Sequence, residues 1–183
     1  MLTIDIKVGC KEFLDTQWSE IFYPDDLPDD WKLDYYANEL STVLLNSKYN
    51  QEINTLLEEC FADDFNIVLL ADQKVAKQKA DNKLIINNEV SVKIDFVSRF
   101  DQVKDFTFLQ KTQTYANHPV YYYQAKNLLT PVQLKELLLF CVDESGIEKN
   151  AIKDKNQILY LFFSDHRHAI ENVRNMNILI QML

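Results

Sequence analysis

The sequence predicts a single α/β domain spanning residues 1–183 with a mostly parallel sheet, and three observations carry that reading. Short apolar runs of strand length alternate with stripes at helical spacing along most of the chain. The 183 residues, 47% hydrophobic and 12% aromatic, suffice to bury one sizeable core without staples. Only two glycines occur, Gly9 and Gly146, and neither lies in a GxGxxG or P-loop pattern, which excludes nucleotide-binding folds built on such loops.

Ile4, Ile6 and Val8 alternate with polar residues, as in a half-buried strand ending at Gly9. A polar, aromatic loop follows, and Asp29 or Asp30 is placed to cap a helix whose Leu33, Tyr36, Ala37 and Leu40 fall at helical spacing. Thr42 to Leu45 then reads as a short buried strand. Ile53, Leu56, Leu57, Cys60 and Phe61 form a second helical stripe, and Asn66 to Ala71 is the continuous apolar run of a strand buried on both faces.

The middle is less regular. Leu84 to Ile86 and Val90 to Ile94 flank Asn87-Asn88-Glu89, which suggests either a β-hairpin near 84–96 or two irregular segments, because the turn lacks Asn-Gly chemistry. Ser98 with Asp101 marks a helix start, with Phe100 and Val103 facing inward, and Val120 to Tyr123 is strand-like. Thr130-Pro131-Val132-Gln133 combines an N-cap, a proline at the first helical position and a capping-box glutamine; Leu134, Leu137, Leu138 and Cys141 continue one buried face towards a stop at Gly146. Ile158 to Phe163 is a further buried strand. Asp165 is placed to cap a last helix facing inward through Ala169, Val173, Met176, Ile180 and Leu183.

Net charge is −9, concentrated in residues 1–72, which carry 16 acids and 4 bases. Such a balance repels phosphate backbones and disfavours nucleic acid as a partner; Lys74, Lys77, Lys79 and Lys83 form one modest basic cluster, read as a solvated face. No run approaches the ~20 apolar residues of a membrane span, and the first residues lack a signal-peptide pattern, so the expected location is the cytoplasm. Cys10, Cys60 and Cys141 are odd in number and lie within apolar patterns, as buried thiols do.

Trp18, Phe22-Tyr23-Pro24, Leu27-Pro28, Tyr35-Tyr36-Ala37 and Thr42-Val43 with Asn46, taken with Gly9, resemble the opening of the YecE-like family, domain of unknown function 72. Tyr160 to His166 and Ala169-Ile170-Glu171-Asn172-Val173 resemble its last strand and helix. The resemblance covers roughly 1–72 and 119–183 and implies a TIM-type barrel. A complete barrel of that type needs about 250 residues, so the implied fold is a shortened or incomplete (β/α) barrel.

The family's strand-end charges are missing from this sequence. Leu44 stands for its glutamate, Leu70 for its lysine, Tyr123 and Ala125 for its Arg-x-His, and Asp95-Phe96-Val97-Ser98 keeps only an acid of its Glu-x-Arg-His. Leucine cannot take a proton, hold a metal or neutralise a phosphate. The implied function is therefore a degenerate barrel that binds a protein or small ligand without catalysis and needs no cofactor. Its candidate pocket comprises Gly9, Cys10, Trp18, Asn46, Asp72, Tyr123, Asp165 and His166, with Leu44, Leu70 and Tyr123 as the side chains expected to plug it.

Two alternatives remain. Asp165, His166 and His168, completed by Asp72, Asp95 or His118, supply ligand types for a divalent metal and a phosphoesterase-like hydrolase. The basic cluster supplies a weaker case for nucleic acid. The dense aromatics suggest a pocket or partner-binding face, and strand edges left by an incomplete barrel would favour a homo-oligomer.

Overall fold

The computed structural model describes residues 4–14, 17–46, 48–49, 55–56, 64–71, 84–96, 107–114, 118–124, 127–146, 158–164 and 167–183, with backbone alone for 70–71, 84–96 and 107–114. The element order is β1 (Asp5–Lys11), α1 (Ser19–Phe22), a 3-10 turn (Asp29–Trp31), α2 (Lys32–Glu39), β2 (Thr42–Leu45), β3 (Asn66–Ala71), β4 (Leu84–Phe96), β5 (Thr107–Thr114), β6 (Pro119–Gln124), α3 (Pro131–Ser145), β7 (Ile158–Ser164) and α4 (Ala169–Met182). No helix among the described residues is long and apolar enough to cross a membrane.

Five strands form an all-parallel sheet in the order β3-β2-β1-β7-β6. β4 continues it in parallel beyond β3, and β5 runs antiparallel to both β4 and β6, so the hydrogen-bonded order returns to its start. Every strand thus has two neighbours. The sequence expectation of a hairpin near 84–96 is corrected: that stretch is one strand, interrupted by an irregularity between Asn88 and Val92, and its hairpin partner is β5. Without a φ-positive turn pair the Asn87-Asn88-Glu89 segment has no chemistry to reverse the chain, and it bulges instead. The helix expected from Ser98 lies outside the described residues, as does most of the stripe from Ile53 to Phe61.

Strand alternation sorts the core into two layers. The helix-facing layer contains Val8 and Cys10, Val43 and Leu45, Ile67 and Leu69, Tyr121 and Tyr123, and Leu159, Leu161 and Phe163, packed with Leu33 and Tyr36 of α2, Leu134, Leu137 and Leu138 of α3, and Val173 and Met176 of α4. The opposite face gathers Leu44, Val68, Val120, Tyr160 and Phe162, with Tyr122 and Ile158 against them.

Helix ends follow local chemistry. At α3, Thr130 Oγ1 accepts the Gln133 N–H at 3.3 Å while Gln133 Oε1 accepts the Thr130 N–H at 2.8 Å, and Gly146 closes the helix in the left-handed region at φ 66°. The expected caps of α2 and α4 are corrected. Asp29 and Asp30 form the 3-10 turn, with Asp29 paired to Lys32 at 2.6 Å, and the N-cap of α2 is Trp31. α4 begins after His168, with no side-chain cap.

Candidate functional site

Parallel strands place all their C-terminal ends on one side, and β1, β2, β6 and β7 end there at Lys11, Leu45, Gln124 and Ser164. Beneath that rim five buried side chains of β2, β3, β6 and β7 form an apolar cluster on the inner face. Leu44, Val68, Val120, Tyr160 and Phe162 are each 0% exposed. The Tyr160 and Phe162 rings lie 5° from parallel with centroids 6.3 Å apart. Lys11 crosses the top with its ammonium 5.3 Å from the Tyr122 ring centre, a cation over an aromatic face.

Immediately after β1, Glu12 takes a left-handed backbone conformation at φ 64°, the sole non-glycine residue to do so among those described. Its N–H donates to Leu44 O at 2.7 Å, and its carboxylate, nearly buried, pairs with Lys48 Nζ at 2.8 Å. The Lys48 ammonium also sits 4.8 Å from the Tyr49 ring centre. Hydrogen bonding to Glu12 raises the Lys48 pKa, and burial raises the Tyr49 phenol. Both groups therefore keep their protons at neutral pH, and neither serves as a base. Sequence reasoning missed Lys11, Glu12 and Lys48. Their signal was position, since Lys11 ends β1 and Glu12 and Lys48 lie just past the ends of β1 and β2.

The candidates named from the sequence fall in different places. Gly9 faces the inner layer where β1 presses on β2: a Cβ added there would lie 1.9 Å from Thr42 O. Cys10 is fully buried on the helix side, and its N–H donates to the Tyr36 hydroxyl at 2.7 Å. Tyr36 in turn donates to Thr42 O at 3.1 Å, so its hydroxyl bridges β1 and β2. Asn46 is a turn residue whose Oδ1 accepts the Lys48 N–H at 3.0 Å.

Tyr123 is corrected as a pocket residue. It packs with Phe163 in the helix-facing layer, centroids 6.0 Å apart, and Tyr122 is the neighbour that faces inward. A one-residue change of register along a strand turns a side chain to the other face. Leu44 does fill the inner layer; the side chain of Leu70 lies outside the described residues, as do Asp72, Asp165 and His166.

Trp18 stands 1% exposed among Phe22, Tyr23 and Tyr36, whose ring centroids are 5.7–6.1 Å away. Tyr23 donates to Phe13 O at 2.7 Å. The aromatic opening of the chain thus anchors its first loop against the sheet. Trp31 stands apart, 64% exposed.

The metal reading loses one proposed ligand to distance. His118 precedes β6 and its Nδ1 accepts the Ile158 N–H at 3.0 Å, at the start of β7. Six residue steps of β7 separate that point from Ser164, about 20 Å at ~3.3 Å per residue, so His118 cannot join a site beyond the end of β7. Among the described residues no group of three or more His, Cys, Asp or Glu side chains could hold a metal ion. Cys141 is buried, and burial raises its thiol pKa far above neutrality, as an unreactive thiol requires.

Outside the sheet, a cleft of about 440 Å³ lies between α1 and the start of α4, lined by Trp18, Ile21, Phe22, Arg167, His168, Ile170, Glu171 and Arg174. His168 Nε2 accepts from Arg167 Nε at 3.3 Å, and Nδ1 faces Glu171 at 3.4 Å. Arg174 pairs with Glu39 at 3.3 Å and lies over the Phe22 ring. Asn172, fully buried, accepts the Leu129 N–H at 2.9 Å and donates to Asn127 O at 3.3 Å, tying α4 to the segment before α3. No family model, curated protein or solved structure matches this chain.

Proposed function

We propose that this chain is a shortened YecE-like barrel, derived from the TIM type, that binds a protein or small ligand and performs no chemistry inside its ring of strands. In this reading β5, the antiparallel strand, fills the place of lost strand-helix units. One observation carries the proposal: Leu44, at the position where the family keeps glutamate, is 0% exposed and packed in an apolar layer with Phe162 and Tyr160. A leucine at this place offers a substrate no charge and no proton-transfer group.

Glu12 and Lys48 at the rim neutralise one another, which suits binding better than proton transfer. With each strand paired on both sides, a second copy or other protein would meet helices rather than a strand edge. The cytoplasm remains the expected compartment.

Replacing Leu44 by glutamate tests the filled layer. Burying a carboxylate among these side chains should cost several kcal/mol, about 3–5, read as a large fall in the urea midpoint or loss of the folded state. A Leu44→Glu protein of unchanged stability would mean that the ring has polar space, and the proposal would fail.

A further inference from the structure

Residues 24–31 read Pro24-Asp25-Asp26-Leu27-Pro28-Asp29-Asp30-Trp31, in which a unit of proline, two aspartates and an apolar side chain occurs twice in succession. Each unit folds into a tight turn closed by the same bond: Leu27 N–H donates to Pro24 O and Trp31 N–H to Pro28 O, both at 3.0 Å. A proline heads each turn and fixes its own φ, so the loop is held in shape before any partner arrives. The two units differ at their last residue. Leu27 is half-buried and packs on the main core. Trp31, in the matching place, is 64% exposed, and no ring of the described residues stacks on it. A rigidly held indole facing water is the kind of side chain that anchors a protein interface.

The charges around it say what would cover it. From Glu20 to Glu39 the chain carries seven acids and one base, Lys32, which Asp29 already holds at 2.6 Å. Asp25, Asp26 and Asp30 are exposed and have no cation beside them among the described residues. These carboxylates do not converge, since no group of three or more among the described residues could hold a metal ion. Separate negative charges beside an open indole complement separate positive charges along a chain rather than a single ion. Lys32 shows the pairing within the fold: its ammonium meets Asp29 and lies 5.5 Å from the Tyr23 ring centre.

We propose that Trp31 and the two aspartate turns form the docking surface for an extended, arginine-rich segment of another protein, with one guanidinium on the indole and its neighbours on Asp25, Asp26 and Asp30. This names the partner class for the binding function proposed above and rests on that reading only for its biological use. A second copy of the chain does not fit, because a two-fold contact would set aspartate turn against aspartate turn.

The intact protein, labelled with nitrogen-15, is titrated with a synthetic peptide of alternating arginine and serine. The Trp31 indole resonance, identified by its loss in Trp31→Phe, should move saturably while that of the buried Trp18 stays in place. Affinity measured by calorimetry should fall about threefold or more in Trp31→Ala, and likewise in Asp25→Asn combined with Asp26→Asn, all exposed positions whose replacement leaves the core alone. Asp143→Asn combined with Glu144→Gln removes the same charge from the exposed end of α3 and should leave the affinity within about twofold of the parent. A lysine-serine peptide should bind more weakly than the arginine peptide, because an ammonium does not stack on the indole as a guanidinium does.

An unmoved Trp31 resonance, equal losses in the two double variants, or equal affinity for the lysine peptide would overturn the site. A parent that sediments as a dimer while Trp31→Ala sediments as a monomer would give the indole to a second copy and overturn it too. None of these outcomes bears on the stability of Leu44→Glu, and an undiminished Leu44→Glu stability leaves the titration standing, so the loop and the ring of strands fail separately.

Discussion

Two side chains decide whether β1 and β2 can lie together. Gly9 is there because the Thr42 carbonyl occupies the space of a Cβ, and Tyr36 is there because its hydroxyl satisfies both the Cys10 N–H and the Thr42 C=O at a point where the strands do not bond one another directly. Burial is the leading reason the Tyr36 pKa is raised, so that hydroxyl keeps its proton and can donate. Tyr36→Phe should lower stability by ~1–3 kcal/mol, the cost of leaving buried groups unpaired, and Gly9→Ala by about 3 kcal/mol or more, because backbone cannot yield as a side-chain end can. Chemical denaturation with an unchanged slope checks both. A Tyr36→Phe midpoint equal to the parent would show that the bridge contributes nothing. The glycine and the tyrosine could be seen in the sequence, but the approach of Gly9 to Thr42 and the bond from the Cys10 N–H to Tyr36, 26 residues on, could not.

Elements were legible in proportion to their local chemistry. α3 was read with its cap, proline, stripe and stop because all four signals are local. The start of α4 was misplaced to Asp165 because several polar residues in a row each qualify as a cap, and the actual N-cap, His168, makes no side-chain cap bond. The 3-10 turn before α2 misled in the same way. β4 was split in two because polar Asn87-Asn88-Glu89 looks like a turn, whereas two neighbouring strands hold it extended. At this scale Asn172 has the clearest consequence. Asn172→Ala should cost about 2 kcal/mol in urea unfolding, through the orphaned Leu129 N–H. An unchanged urea midpoint would mean that Asn172 does not tie α4 to the segment before α3.

For the molecule as a whole, the parallel α/β class followed from the alternation of patterns, and Leu44 is buried on the inner face. The face occupied by Tyr123 did not follow from the sequence, since an isolated run of three tyrosines carries no phase. The separation of His118 from the segment after β7 also needed three dimensions, because proximity to a strand end cannot be judged until the direction of each strand is known. His118 gives the molecule a pH dependence of its own. Desolvation lowers its pKa below the ordinary 6.5, so the unfolded chain takes up the proton first as pH falls. Its neutral ring is therefore fully stabilising above about pH 6.5, and stability declines as pH drops from there through the depressed folded value. Asparagine at this position keeps an acceptor for the Ile158 N–H but does not titrate. His118→Asn should flatten the stability profile between about pH 5 and 7 relative to the parent, measured by urea midpoints at fixed ionic strength; parallel profiles would exclude the residue as the source.

The pairing of β1 with β7 has a bearing on how the polypeptide matures. β1 finds one of its two neighbours in β7, some 150 residues later, so no stage of synthesis before β7 can seal the sheet. Until Ser164 emerges, Ile6, Val8 and Cys10 and the ladder groups beside them stay open to rival contacts, and the growing chain depends on dilution or on chaperones to keep that first edge unclaimed.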